Sequence, residues 1–203
     1  MQREMLISSV LLFLTLCAKM ASQESASLAT VPELPNPTRL VTTVNPDTGV
    51  SSFNTSFDES LGVINNLGGS LFRLGYVSQP PPLNLDGSDV KEYANHLADP
   101  PALVIPGGST VVWYVDTPPG AGSPMHRTVS LDYAIVVSGE LQLTLDSGEK
   151  RNLKPGDMII QRGTAHQWLN TSPDKWARMI GVMTSTNPIT LNNGTQLGIE
   201  GLG

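Results

Sequence analysis

Two histidines occupy the same kind of sequence setting, since each opens a run of strand-forming residues a few positions after a glycine. His126 lies in G-A-G-S-P-M-H-R-T-V-S-L-D-Y, and His166 lies in Q-R-G-T-A-H-Q-W-L-N. An imidazole titrates near neutral pH, so two of them can donate and accept protons or bind a metal ion. Asp132 adds a carboxylate that could orient one ring and fix its tautomer. These three side chains are therefore our candidate catalytic residues.

The alternation of side chains along a strand indicates which neighbours share a pocket with the histidines. Successive residues point to opposite faces, so Thr128 and Asp132 should lie on the face of His126. By the same rule, Trp168 should lie on the face of His166. An indole beside two imidazoles gives an apolar wall with polar points, which is typical of a small-molecule site. We therefore predict that Thr128 and Trp168 contact a substrate.

Three further residues are candidates for the pocket wall because of their positions on predicted strands. Trp113 and Tyr114 lie on the strand before the first histidine, and one of them should face the cavity. Arg73 and Arg162 could hold a carboxylate or an enolate through the planar guanidinium fork. We predict that Trp113, Arg73 and Arg162 bind substrate, whereas His96, on a predicted helix, is a surface residue.

Short strands separated by turns must position these side chains. A hairpin is predicted from residues 39–43 and 50–53, and further strands over 71–77, 109–116, 126–137, 140–146, 150–153, 157–161, 166–170 and 176–184. The turns between them use many of the 19 glycines and 16 prolines. This spacing predicts an antiparallel sandwich or barrel, with one short helix over residues 89–98.

The two histidine segments resemble the two sequence motifs of the cupin superfamily. The spacing of the first motif, G-x5-H-x-H-x3-E-x6-G, is matched by Gly120, His126, Thr128, Asp132 and Gly139. The spacing of the second, P-x-G-x2-H-x3-N, is matched by Gln161, Gly163, His166 and Asn170. The resemblance implies an all-β, single-domain cupin, that is, an antiparallel jelly-roll-like β-barrel with an N-terminal strand arm. The residues of the two segments are most similar to those of small fungal single-domain cupins of secondary-metabolite clusters, including hetero-Diels–Alderases of tropolonic sesquiterpenoid biosynthesis.

The departures from the cupin motifs weaken the usual metal site. Thr128 stands where the family has a second metal histidine, Asp132 replaces a glutamate, and Gln161 replaces a proline. A hydroxyl is a poor ligand, and aspartate has a shorter reach than glutamate. His126, Asp132 and His166 could still form a two-histidine, one-carboxylate site for iron or manganese. We favour no bound metal, with iron or manganese as the alternative.

The resemblance implies a biosynthetic enzyme that cyclises a reactive polyketide or terpenoid intermediate without metal, most specifically a hetero-Diels–Alderase. Two alternatives stay open at this point. A metal-dependent cupin oxygenase or decarboxylase would use the same pocket with an ion bound. A non-catalytic small-molecule carrier would use the pocket for binding alone.

The N-terminus has the features of a secretory signal peptide. An apolar run follows Arg3 and is shorter than the ~20 residues that a membrane-spanning helix needs. We predict a signal peptide over residues 1–21, an N-terminal arm and hairpin over 22–70, a barrel over 71–184 and a C-terminal tail over 185–203. The protein is then expected to be secreted or to reside in the secretory-pathway lumen, without membrane contact after signal removal.

The cysteine and asparagine positions fit that route. The only cysteine, Cys17, lies within the leader, so a mature chain would have no disulfide and no thiol catalysis. Asn54, Asn170 and Asn193 each begin an N-x-S/T triplet, and we predict that they are glycosylated.

The charge of the chain restricts its partners. The formal net charge is -6, from 12 basic and 18 acidic residues, and the basic residues form no cluster. Nucleic acid is excluded because neutralising phosphates requires a basic face. The expected partner is a small-molecule substrate, and a homodimer through exposed sheet edges is an open alternative.

Overall fold

The computed structural model describes residues 33–202, and the predictions for the leader and its cysteine lie outside them. The elements in chain order are β1 (Thr42–Val44), β2 (Ser51–Phe53), β3 (Asn65–Leu67), β4 (Ser70–Ser78), α1 (Ser88–Ala98), β5 (Thr110–Thr117), β6 (Ser130–Ser138), β7 (Leu141–Leu145), β8 (Lys150–Leu153), β9 (Met158–Arg162), β10 (His166–Leu169), β11 (Ala177–Ser185), β12 (Ile189–Thr190) and β13 (Gln196–Leu197).

Two antiparallel sheets form the body of the fold. The larger has the strand order β3-β4-β5-β11-β6-β9, and the smaller has the order β10-β7-β8. Two separate hairpins, β1-β2 and β12-β13, lie in the N-terminal arm and in the tail. The prediction of an all-β antiparallel fold is confirmed. β3, which falls within the predicted arm, pairs with β4 at the edge of the larger sheet.

The register of the larger sheet defines one wall of the interior, because residues directly opposite each other share a face. Trp113 on β5 lies opposite Gly181 on β11, which in turn lies opposite Ala134 on β6. Trp113 is buried within one apolar cluster and Trp168 within another. The partly buried Met179 packs against both clusters. The two indoles therefore help to form a continuous apolar interior beside small residues.

The helix and the N-terminal hairpin follow their sequence signals. α1 begins after Gly87, whose φ of 97° is in the left-handed region that favours glycine. Tyr93 is fully buried, and its hydroxyl donates to the carbonyl of Leu74 at 2.8 Å. The β1-β2 turn is held by Asn45, whose Oδ1 accepts from the backbone N–H groups of the two turn residues Asp47 and Thr48. Among residues 33–202, no helix is long and apolar enough to cross a membrane.

A buried ion-pair network holds the outer face of the larger sheet. The fully buried Asp116 accepts from Arg73 at 2.5 Å and from Nε of Arg178 at 2.5 Å. The same arginines also bind the N-terminal arm, since Arg73 donates to Asn36 and Arg178 donates to the carbonyl of Pro35. This network therefore ties three sheet strands, β4, β5 and β11, and the arm together.

The prediction that Arg73 lines the substrate pocket is wrong. Arg73 lies opposite Tyr114, whereas its strand neighbour Leu74 lies opposite Trp113, so Arg73 and Trp113 are on different faces of the sheet. Its guanidinium is used by Asp116 and Asn36. It has a structural role there, away from the histidines.

Asn170 anchors the end of β10, and its predicted glycosylation is wrong. Its side chain is fully buried, and Nδ2 donates to the carbonyls of Thr117 and Lys175 at 3.0 and 2.7 Å. Attachment of a glycan needs that nitrogen at the surface. Asn54 and Asn193 are partly or fully exposed, and their glycosylation stays a prediction.

Replacing Asp116 by Ala should lower the free energy of unfolding by about 3–5 kcal/mol, because two buried guanidinium groups lose their counter-charge. Urea unfolding followed by circular dichroism measures this loss. Glu149→Ala is the matched control, since it removes an exposed carboxylate 3.9 Å from Arg151 and should cost at most about 1 kcal/mol. Similar losses in both variants would contradict the structural role of Asp116.

Candidate functional site

The two candidate histidines face each other across a main-chain bridge. The backbone N–H of His126 donates to the carbonyl of His166 at 2.8 Å, and the reverse bond is also 2.8 Å. The ring centroids are 4.3 Å apart, and the ring planes are inclined at 57°. Both side chains are buried, with exposed fractions of 8% and 4%. The structure therefore brings together the two residues that the motifs placed 40 positions apart.

Each imidazole is oriented by a backbone carbonyl two residues before it. Nδ1 of His126 bonds the carbonyl of Pro124, and Nδ1 of His166 bonds the carbonyl of Thr164, both at 2.9 Å. A carbonyl oxygen can only accept, so Nδ1 carries the proton in both rings. In the neutral rings Nε2 then has the free lone pair. Both rings can therefore offer a base, or a metal ligand, at Nε2.

Burial keeps the His166 ring neutral at pH values well below those at which an exposed imidazole takes up a proton. Loss of water around the ring lowers its pKa from 6.5 to about 4, although the hydrogen bond to Thr164 favours the charged form. A positive charge on His126 would lower the pKa of His166 further. At neutral pH, His166 is thus an uncharged proton acceptor in a buried site.

The pKa of Asp132 is shifted in the opposite direction, upwards. Burial raises its pKa from 3.8 to about 6, partly offset by the nearby hydroxyls of Ser130 and Thr128. Ser130 also donates to the hydroxyl of Thr128 at 2.7 Å. Between about pH 4 and 6 the site therefore holds a neutral acid and a neutral imidazole together, which are a proton donor and a proton acceptor.

Three of the other residues predicted to contact a substrate are buried inside the barrel. Thr128 is buried and accepts from Ser130, which leaves its own hydroxyl hydrogen for another acceptor. Trp168 lies two residues after His166 on β10 and is buried in the interior. Trp113 shares its sheet face with Asp132 through the register of β5, β11 and β6. All three are buried, and their contact with a substrate stays a prediction.

Arg162 is not part of this wall, and its predicted substrate contact is wrong. It lies opposite Leu131, whereas Gln161 lies opposite Asp132, so Arg162 is on the outer face of β9. Its side chain is exposed. His96 lies on α1 and approaches Glu92 at 3.8 Å, away from the histidine pair.

Gln161, which stands at the proline position of the second cupin motif, also belongs to the inner wall, although the sequence did not predict a role for it. It is buried, lies directly opposite Asp132, and its Nε2 has no hydrogen-bond partner within the described part of the chain. A single polar residue at the end of the apolar run M-I-I-Q was the available signal. Its relation to Asp132 depends on strand pairing, which the sequence alone does not give.

The C-terminal tail reaches the histidine segment from the other side. The backbone N–H of Arg127 donates to the carbonyl of Glu200 at 2.9 Å, and the reverse bond is 3.1 Å. The two side chains form an ion pair at 3.1 Å. At Gly201, a Cβ atom would approach the carbonyl oxygen of Met125 to 2.3 Å, so only glycine permits this approach. The tail therefore wraps the barrel beside His126.

The donor set does not complete a metal centre. Among residues 33–202, no three His, Cys, Asp or Glu side chains come close enough to hold one ion. His126 and His166 offer two suitable nitrogens, but Asp132 does not join them as a third ligand. The two-histidine, one-carboxylate set that iron or manganese would use is therefore not assembled by these residues.

Sequence relatives come from fungal biosynthetic clusters. The Cupin_2 family, described as a cupin domain, matches residues 113–183. A phomopsin biosynthesis cluster protein D of Diaporthe leptostromiformis is 43% identical over 173 residues, which cover 85% of this chain and 90% of that protein. The oryzines biosynthesis cluster protein J of Aspergillus oryzae is 40% identical over 173 residues, covering 84% and 94%.

Other similar proteins have different descriptions. A cupin-domain-containing oxidoreductase of Neurospora crassa is 42% identical over 125 residues, or 62% of this chain and 61% of that protein. The solved structure of the polyketide cyclase RemF from Streptomyces resistomycificus superposes with a TM-score of 0.44 and 16% identity, covering 70% of this chain and 80% of that chain. At that TM-score the likeness carries no functional argument.

The pKa values of Asp132 and His166 are shifted in opposite directions, which predicts that the two residues have opposite effects on the pH dependence of stability. Folded His166 stays neutral down to about pH 4, so it costs stability as the pH falls from 6.5. Folded Asp132 keeps its proton up to about pH 6, so it costs stability as the pH rises from 3.8. Between pH 4 and 6, Asp132→Asn should gain stability relative to wild type as the pH rises, by about 2 kcal/mol.

His166→Gln should show the reverse trend, a gain relative to wild type as the pH falls. Urea unfolding of chelator-treated protein at several pH values measures both differences, and subtraction of the wild type removes the other titrating groups. If the unfolding free energies of wild type and both variants changed with pH in parallel, the shifted pKa values of Asp132 and His166 would be refuted.

Proposed function

The chain belongs to the cupin superfamily, and from this premise we propose that it is an enzyme of secondary metabolism that cyclises a reactive polyketide or terpenoid intermediate. The relatives at 43% and 40% identity, which belong to phomopsin and oryzines biosynthesis clusters, support the biosynthetic setting. The most specific form of the proposal is a hetero-Diels–Alder reaction that needs no metal. Its route is secretory, with residues 1–21 as the signal peptide.

The observation that carries the proposal is the His126–His166 pair. Two rings 4.3 Å apart, with both Nδ1 atoms bound to carbonyls, leave an Nε2 lone pair on each of two adjacent imidazoles. A buried neutral base of this kind can remove a proton from a hydroxyl or an enolisable carbon. Below about pH 6, where its raised pKa keeps it protonated, Asp132 can donate a hydrogen bond to a carbonyl oxygen as a neutral acid.

These groups suit a reaction that needs positioning and polarisation. In a hetero-Diels–Alder closure, a conjugated C=C–C=O fragment and an alkene form one C–C and one C–O bond, and no atom leaves. The protein has to hold the two parts together and polarise the carbonyl. The apolar wall around Trp113 and Trp168 provides the first function, and Asp132 with Thr128 provides the second.

A second candidate is an oxidoreductase, which the names of several relatives favour. Cupin-domain-containing oxidoreductases of Neurospora crassa and Aspergillus ruber are 42% and 39% identical over 62% and 58% of this chain. Such an activity changes the hydrogen or oxygen content of the substrate. A cyclisation does not, so the masses of precursor and product separate the two candidates.

We predict that deletion of the gene in its host leads to accumulation of an uncyclised precursor. Cyclisation requires that the lost product be an isomer of this precursor, or the sum of two accumulated reactants, in high-resolution mass spectra. A product that differs by hydrogen or oxygen would contradict cyclisation and support the oxidoreductase. Purified wild-type protein should convert the isolated precursor after chelator treatment, whereas stoichiometric iron or manganese and loss of activity on chelation would overturn the metal-free form.

Complementation with variants tests the role of the histidines. His166→Gln keeps a side chain of similar size but removes the buried base, and should lower product formation by about 10²-fold or more. His96→Gln is the matched control on α1 and should restore the wild-type level. If His166→Gln and His126→Gln bind the precursor normally and wild type does not exceed the background rate, the protein is a carrier.

A further inference from the structure

Asp132 and Gln161 form a pair of unsatisfied polar side chains on the inner wall. They lie directly opposite each other on β6 and β9, and each is 4% exposed. Oδ1 of Asp132 and Nε2 of Gln161 are buried and have no hydrogen-bond partner within residues 33–202. The other unsatisfied buried side-chain atoms of this part of the chain belong to Arg39 and Arg127, outside this wall. The pair thus combines one acceptor and one donor.

Such atoms are costly in a folded protein. A buried donor or acceptor without a partner costs about 1–3 kcal/mol, so native structures retain one where something else satisfies it. Directly opposed residues have Cβ atoms about 5 Å apart, yet these two side chains do not bond each other. The neighbouring positions on this face carry small residues, since Ala134 follows Asp132 on the same face and lies opposite Gly181.

We propose that Asp132 and Gln161 together bind a substrate group that carries a hydrogen-bond donor and an acceptor side by side, as in a lactam or an enolised dicarbonyl. The carboxylate oxygen accepts from the N–H or O–H of this group, and the Gln161 amide donates to its carbonyl. This inference rests on the proposed function, because it names the substrate class of the same cavity. Gln161 is a binding residue in this scheme.

The chemistry of the pair excludes other classes of ligand. A hydrocarbon would leave both atoms unsatisfied, and a carboxylate ligand would meet the like charge of ionised Asp132. Met183 lies opposite Asp132 on the other side, so an apolar ring carrying the polar group gains a contact there. A flat heterocycle with adjacent donor and acceptor fits all three neighbours.

The test uses 2-pyridone, a small lactam, and N-methyl-2-pyridone, which keeps the carbonyl and lacks the donor. Calorimetric or NMR titration of chelator-treated protein at pH 7.5 measures both affinities. Wild-type protein should bind 2-pyridone at millimolar concentration, about tenfold more tightly than the N-methyl compound. Gln161→Met should remove most of this preference, because the apolar side chain of similar length cannot donate.

Gln142→Met is the matched control, since Gln142 lies on β7 and bonds Asn152 in an exposed pair. Its affinity for 2-pyridone should equal that of wild type. The proposal is overturned if Gln161→Met binds 2-pyridone as wild type does, if wild type binds the two compounds equally, or if it binds neither at millimolar concentration. The comparison of the two compounds on wild-type protein needs no variant to fold.

Failure of this proposal is distinguishable from failure of the proposed function. If His166→Gln retains product formation while the lactam preference depends on Gln161, the role of the histidine pair is wrong and the recognition pair stands. If the lactam preference is absent while His166→Gln abolishes product formation, the recognition pair is wrong and the enzyme proposal stands.

Discussion

The arrangement of the site depends on the main-chain bridge between His126 and His166. The segment before β6 is not part of either sheet, and this bridge, with bonds of 2.8 Å in both directions, joins it to β10. Its other side is held by the bridge between Arg127 and Glu200 in the tail. The two imidazoles lie 4.3 Å apart because their backbones are paired, so the spacing of the rings is a consequence of strand pairing.

Burial then gives the paired residues their chemistry. The same loss of water that lowers the pKa of His166 to about 4 raises the pKa of Asp132 to about 6. The apolar interior thereby keeps a base uncharged and an acid protonated at overlapping pH. Trp113 and Trp168 are buried in that interior, while the charged network around Asp116 is confined to the outer face of the sheet. Polar binding and structural charge are thus separated by the two faces of one sheet.

Turn residues and side-chain alternation predicted most strands and the inward position of Trp113, because both depend on local geometry. They did not predict β3, β12 or β13, and β6 begins at Ser130, four residues after the predicted start. Non-local pairing was not predictable. Arg73 was assigned to the wrong face, since its partner Asp116 lies 43 residues away on the next strand. Asn170 matched a glycosylation triplet, but its amide donates to three backbone carbonyls, those of Thr117 at the end of β5, Pro118 and Lys175. A role for Gln161 could be inferred only from the pairing of β6 and β9, which places it opposite the unsatisfied carboxylate of Asp132.

The central claim is that both paired rings present an unprotonated Nε2 to the substrate. A long-range ¹H–¹⁵N correlation spectrum of chelator-treated protein at pH 8.5 reads the tautomer of every ring directly, and the sequence has only three histidines. The account predicts the Nδ1–H tautomer for His126 and His166, with His96 as the reference on the helix surface. A spectrum in which either paired ring carries its proton on Nε2 would contradict it.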